Sequence, residues 1–115
     1  MQADTNDDPR GLFDQIAHDL ALRHDGISAG KMFGTPCIKT HGKAFAAFSE
    51  NAIALKLAGD DHRAALALAG AQLWDPSGKH RPMKEWVQIR FENAHAWAEI
   101  AEQALRYVAN STPHG

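Results

Sequence analysis

Lys79, His80, Arg81 and Lys84 crowd one short stretch of the chain, Asp75 to Lys84, just past Gly78. Backbone amides at a glycine turn, together with a cluster of cations, can hold a phosphate or another anion. Trp74 and Trp86 flank the stretch and offer a stacking surface. The plainer alternative is a tight exposed turn, with solvated charges and buried tryptophans. Gly78-Lys79 is not part of a phosphate-binding P-loop, because that motif needs a glycine five positions earlier and position 73 is Leu73. If the stretch meets nucleic acid, Lys31, Lys39 and Lys43 extend its footprint. Contacts would go to phosphates, and neutralising about four of them gives a log–log salt slope near −3.6. No helical segment carries the basic, polar face of a recognition helix, and an isoelectric point near 6.4 is low for a dedicated DNA binder. Weak or absent DNA affinity is therefore expected of the domain alone.

Other reactive residue types are scattered. The seven histidines (18, 24, 41, 62, 80, 95 and 114) form no i, i+4 pair and sit near no second cysteine, so zinc-ligand spacing is absent and no metal or cofactor is expected. Cys37 is the one cysteine. A nucleophilic thiol needs a depressed pKa and a nearby base, and four residues to His41 across an extended segment fix no contact. An inert, buried thiol is expected instead. No Gly-x-Ser-x-Gly elbow surrounds any serine, and Asp7-Asp8 and Asp60-Asp61 read as helix-start acids, not a catalytic pair. These residues point away from an enzyme.

The elements that position these groups follow from period and punctuation. Residues 1–8 read as a polar tail, 9–109 as the folded domain and 110–115 as a second tail. Asp8-Pro9 opens a helix with Phe13, Ile16, Ala17 and Leu20 on one stripe, and Asp25-Gly26 stops it. Lys31 to Thr40 is extended and interrupted by Gly34 and Pro36, the proline suggesting an edge strand or a bulge. His41-Gly42 is a hairpin turn, Lys43 to Ser49 the return strand, and Ala52 to Leu57 the next, with Ile53, Leu55 and Leu57 on one face. A helix is predicted from Gly59 through Leu68 to Gly70, and a strand from Lys84 to Phe91 with Val87, Ile89 and Phe91 inward. Trp86, Gln88 and Arg90 then face the other way. If no helix covers that second face, Trp86 near Trp74 marks a partner or homodimer surface. Asn93 caps a last helix whose stripe is Trp97, Ile100, Ala101, Ala104, Leu105 and Val108. This order of elements implies α+β architecture, one antiparallel sheet built from hairpins and flanked by three helices.

Length and composition agree with one such domain. The 115 residues are 44% apolar and 23% charged, ordinary globular usage that excludes disordered and low-complexity classes. No apolar run approaches the ~20 residues of a membrane span, and the first ten residues lack an apolar signal core, so a cytoplasmic chain is expected. Charge is uneven. Residues 31–90 carry a net +4 between an N-terminal stretch of −4 and a C-terminal stretch of −2. A basic middle can gather on one face or scatter around the surface.

Three segments carry a family resemblance. They are Lys31-Met32-Phe33-Gly34-Thr35-Pro36-Cys37 followed by Gly42-Lys43, then Leu55-Lys56-Leu57, and then the run from Trp74 to Val87 containing Pro82-Met83-Lys84-Glu85-Trp86. In order and spacing they resemble the TfoX/Sxy N-terminal domain family across about residues 10 to 109. The resemblance implies a small α+β fold shared with MmcQ/YjbR-type domains, and a non-enzymatic regulatory role of the kind played in natural competence, exercised through protein partners. It supplies no catalytic residues. The sequence ends at Gly115, without the helical C-terminal domain of full-length competence regulators, so the resemblance extends to the N-terminal module and not to a whole regulator. Direct, salt-sensitive nucleic-acid binding through the basic stretch remains the first alternative. A small anionic ligand, or an enzyme of another kind, is the second. Monomer and homodimer are both open.

Overall fold

A computed structural model describes residues 8–111 of the chain. Helix α1 (Pro9–Arg23) starts where Asp8 caps it, the carboxylate accepting from the amides of Arg10 at 3.3 Å and Gly11 at 3.2 Å. Asp8 thus belongs to the fold, and the rest of the expected N-terminal tail, residues 1–7, lies outside the described residues. Phe13, Ile16 and Leu20 are buried, as their spacing requires.

Four strands follow as a meander: β1 (Ile27–Met32), β2 (Thr35–Thr40), β3 (Lys43–Ser49) and β4 (Ala52–Lys56). Each connection is a two-residue turn, Phe33-Gly34, His41-Gly42 and Glu50-Asn51 in order, and all six residues have positive φ between 48° and 82°. Turns of this hand match the right-handed twist of the strands they join. Helix α2 (Gly59–Leu66), short strand β5 (Gln72–Trp74), strand β6 (Met83–Arg90) and helix α3 (Ala94–Ser111) complete the chain. The strands form one antiparallel sheet in the order β1-β2-β3-β4-β6-β5, so the molecule is an α+β domain with three helices. No described helix is long and apolar enough to cross a membrane.

Several local expectations are corrected. Ile27–Met32 is a strand of its own and Gln72–Trp74 a short one before the basic loop, where the sequence pattern places short β segments from Ile27 with Lys31 to Thr40 as one extended run and no strand at Gln72. Pro36 lies in an inner strand, not an edge. The irregularity in β2 falls later, between Ile38 and Lys39. A proline there has no N–H for the carbonyl of Phe48 on β3, and the Thr35 hydroxyl donates to that oxygen instead at 2.6 Å. Helix α2 ends at Leu66, short of Gly70. Phe91 leaves the strand for a 3-10 turn, Phe91–Asn93, and packs its ring edge-on against Trp97 at 5.6 Å. The Asn93 side-chain nitrogen donates to the Ala69 carbonyl. Helix α3 continues through Asn110 and Ser111, two residues assigned to the tail, while residues 112–115 lie outside those described.

Two apolar clusters sit on opposite faces of the sheet. On the first face α1 and α3 cover Ile38, Phe45, Ala46, Ile53, Leu55, Val87 and Ile89 with Phe13, Leu20, Trp97, Ala101, Ala104 and Leu105. The Trp97 indole N–H donates to the Arg90 carbonyl at the end of β6. Glu102 of α3 joins the helices by accepting His24 Nε2 at 2.7 Å and lying 3.1 Å from Arg23. The second cluster is Cys37, Ala47, Ala54, Trp74 and Trp86, and no helix contributes to it.

Glu50 takes the left-handed conformation (φ 54°) that costs an ordinary L-residue about 1–2 kcal/mol and costs asparagine less. Glu50→Asn is therefore expected to stabilise the fold by on the order of 0.5 kcal/mol, read as a higher urea midpoint at unchanged slope.

Candidate functional site

Asp75, not a bound anion, organises the loop between β5 and β6. Its Oδ1 accepts from the Ser77 amide at 3.1 Å, the Ser77 hydroxyl at 2.7 Å and the Gly78 amide at 3.1 Å, and its Oδ2 accepts from the Arg81 amide at 3.1 Å. The Ser77 hydroxyl in turn accepts from the Lys79 amide at 3.0 Å. The sequence Asp-Pro-Ser-Gly dictates this: an aspartate side chain bonds backbone two and three residues on, and Gly78 supplies positive φ. The Ser77 hydroxyl, and after it the amides, favour the carboxylate form and hold Asp75 below the usual aspartate range. The amides that a phosphate would use are thus already taken by the protein's own carboxylate, which corrects the expected backbone anion cradle.

The cations surround that turn with their charges free. Lys79, His80, Arg81 and Lys84 are all exposed, and among the described residues no carboxylate pairs with any of them. Glu85, next in sequence to Lys84, is engaged by the Tyr107 hydroxyl and by Lys56 at 3.8 Å. The Lys84 carbonyl lies 2.8 Å from His62 Nε2, which ties the end of the loop to α2.

Both flanking tryptophans are buried, and this overturns their expected role as contact area. Trp74 is 2% exposed and Trp86 4%, with ring centroids 5.3 Å apart. Trp86 does face away from Val87 and Ile89, as alternation requires. That second face is closed by the tryptophans themselves, over a floor of Cys37, Ala47 and Ala54. Burial pushes the Cys37 thiol up, and the nearby Lys39 offsets this only in part, so the thiol is protonated at neutral pH.

The three outlying lysines do not gather at one place. Lys31 stands opposite Pro36 from β1 and Lys43 opposite Thr40 from β3, on opposite sides of β2 and offset by four residues, about 13 Å along the strand. Lys31 and Lys43 are exposed. Lys39 is half-buried with its stem over Gly30, where an added Cβ would come within 2.8 Å of Cε.

What the sequence reading missed is Phe33. It is 67% exposed, holds a left-handed backbone (φ 54°) in the β1–β2 turn, and meets the edge of the Trp74 ring at 6.1 Å and 75°. Strands β1 and β5 are opposite edges of the sheet, so this contact means that the sheet coils until two diagonal corners meet. An exposed aromatic thereby lands beside the residue that begins the basic loop. The signal was present as Phe-Gly at a two-residue turn, because a residue at that position cannot turn into the core.

The fold and this surface define an α+β domain that presents an exposed aromatic tip and a basic loop held by Asp75. No family model, no curated protein and no solved structure matches the chain.

Two variants separate structure from surface here. Trp86→Ala is expected to cost about 3–5 kcal/mol, the range for emptying a buried aromatic site, while Phe33→Ala leaves the unfolding midpoint nearly unchanged. Asp75 titrates lower in the folded chain than its ordinary 3.8. The stability it contributes is present above that value and lost as pH falls through the folded pKa. Wild type is expected to be more stable than Asp75→Asn at pH 7, with the two denaturation midpoints converging in acid.

Proposed function

We propose that this chain is a non-catalytic, cytoplasmic regulatory module, similar to the N-terminal domain of TfoX/Sxy competence regulators, that works by docking an acidic protein partner. The observation that carries the reading is the exposed Phe33 against Trp74, the residue that leads into a loop of unpaired cations. Binding hot spots commonly pair a rigid aromatic anchor with surrounding charged groups that steer the encounter and set its orientation. Phe33 is held by its turn and by Trp74, and Lys79, Arg81 and Lys84 project from a loop that Asp75 keeps in one shape. Little conformational entropy is then lost on docking.

The burial of Trp74 and Trp86 weighs against nucleic acid, since among the described residues it leaves Phe33 as the one aromatic ring that is exposed for stacking. The loop amides that would hold a phosphate are occupied by Asp75. A small anionic metabolite is disfavoured for the same reason. The most polar of the larger clefts, about 420 Å³ and lined by Gln72, Gln88 and Arg90, lies toward the Ala52–Arg90 end of the sheet, away from the loop. The protonated, buried state of Cys37 supports a non-catalytic role.

Affinity capture from cells that express the chain, run beside anisotropy with labelled DNA, tests the reading. Wild type is expected to retain a partner at about 150 mM salt that Phe33→Ser and a Lys79→Glu, Arg81→Glu, Lys84→Glu triple variant both lose, with both variants folded by circular dichroism. Tight DNA binding by wild type at that salt, falling with a slope near −3.6, would transfer the surface to nucleic acid. Equal capture by all three proteins would remove the surface from the function.

A further inference from the structure

The two edges of the sheet are unlike. Strand β5 has only three residues, and Phe33 rests against its end. Strand β1 has six residues and no proline, and of the usual devices that blunt an edge it carries one, the single charge of Lys31 near its end. The register with β2, together with the bond from the His41 amide to the Gly26 carbonyl, turns the N–H and C=O groups of Ser28, Gly30 and Met32 inward. Those of Ile27, Ala29 and Lys31 therefore point outward, unpaired by the sheet.

Along the same edge runs an apolar cleft of about 210 Å³ between α1 and β1, lined by Ala17, Ala21, Ile27, Ala29 and Ile38 with His18 at its rim. Leu22, one turn on from His18, is 73% exposed, one of two large apolar side chains so placed. An unpaired backbone ladder and an apolar cleft beside it make a surface that accepts another strand.

We propose that this surface pairs with a second copy of the chain, β1 against β1 in antiparallel register about a two-fold axis through Ser28. The charges favour that occupant and that register. Asp25 and Lys31 are both exposed, and neither has an ion-pair partner among the described residues. With Ser28 on the axis, Ile27 stands opposite Ala29 so that each isoleucine fills the cleft beside its partner's alanine, and Asp25, in the turn that leads into β1, comes to the end of the paired segment where Lys31 of the other copy lies, twice over. The outward N–H and C=O groups of Ile27 and Ala29 then exchange hydrogen bonds across the axis, while Ser28 meets its symmetry mate as a non-hydrogen-bonded pair. Cα atoms in such a pair are about 4.5 Å apart. The result is an isologous dimer with one sheet continuous through both copies. It leaves Phe33 and the basic loop free, so it stands independently of the partner-docking reading.

Cross-linking of cysteine variants, beside sedimentation velocity of the wild-type chain, tests the proposal. The 4.5 Å separation suits a disulfide, and the native Cys37 is buried. Ser28→Cys is expected to form a covalent dimer on mild oxidation, and Ala29→Cys, opposite isoleucine, is expected not to. Wild type at about 100 µM is expected to sediment as a dimer. Ala29→Pro, which removes only an outward-facing N–H, is expected to sediment as a folded monomer. Asp25→Lys should weaken the dimer at least tenfold, and adding Lys31→Asp should restore it. A monomeric wild type, equal cross-linking at positions 28 and 29, or a dimer indifferent to Ala29→Pro would each overturn the proposal.

Discussion

Everything distinctive in this fold depends on the contact between Trp74 and Trp86. Helices cover only one face of the sheet, and the other face would be left wet and apolar without some cover. The sheet solves this by coiling around two large rings set over small residues. Cys37, Ala47 and Ala54 leave room beneath, and the rings fill it. A larger floor would push the rings outward and flatten the coil. A smaller ring at position 74 or 86 would leave a cavity with no helix to collapse into it. The coil then fixes where the ends of the sheet meet, which is why a hairpin tip from one edge reaches a strand on the other.

That geometry makes the exposed aromatic and the basic loop a by-product of packing. Phe33 is exposed because its turn denies it a place in the core, and it is held because its ring finds the edge of Trp74. The basic loop starts one residue after Trp74 and inherits its anchor. Asp75 then satisfies the loop's own donors, so the loop needs no ligand to hold its shape and its cations are spared for contact with something else. A loop that depended on a bound phosphate would be ordered only when occupied. This one is organised in advance, a property suited to steering a partner more than to trapping a small anion.

How much of this was legible depended on whether the information was local. The stripe of α3, the cap at Asp8, the His41-Gly42 turn and the alternation of Ile53, Leu55 and Leu57 are local patterns, and each stands where it was read. Strand β1 was missed as a separate element because Ile27-Ser-Ala-Gly-Lys-Met has neither strong alternation nor β-branched density, and its pairing with β2 does the work. The helix expected from Gly59 to Gly70 is longer than α2 because alanines carry helix propensity past the point where the chain must turn toward β5. Alternation placed Trp86 correctly on the second face but said nothing of what covers that face. The cover comes from Trp74, twelve residues away, across a sheet whose curvature no local pattern encodes. The same non-local curvature hid the importance of Phe33.

Coiling also explains why the two edges of the sheet have different fates. Bringing the Phe33 corner onto Trp74 shields the end of β5, which is short enough to need little more protection. A sheet coiled toward one diagonal cannot close the other, and β1 is left running along α1 with its outward groups unpaired by the sheet. Helix α1 does not cover it, because the apolar stripe of that helix points into the core and its flank toward β1 is mostly alanine and histidine, side chains too short to arch over a strand. Small side chains there keep the cleft open where leucines would have filled it. The constraint that builds the second core therefore also sets which edge of the sheet stays unpaired.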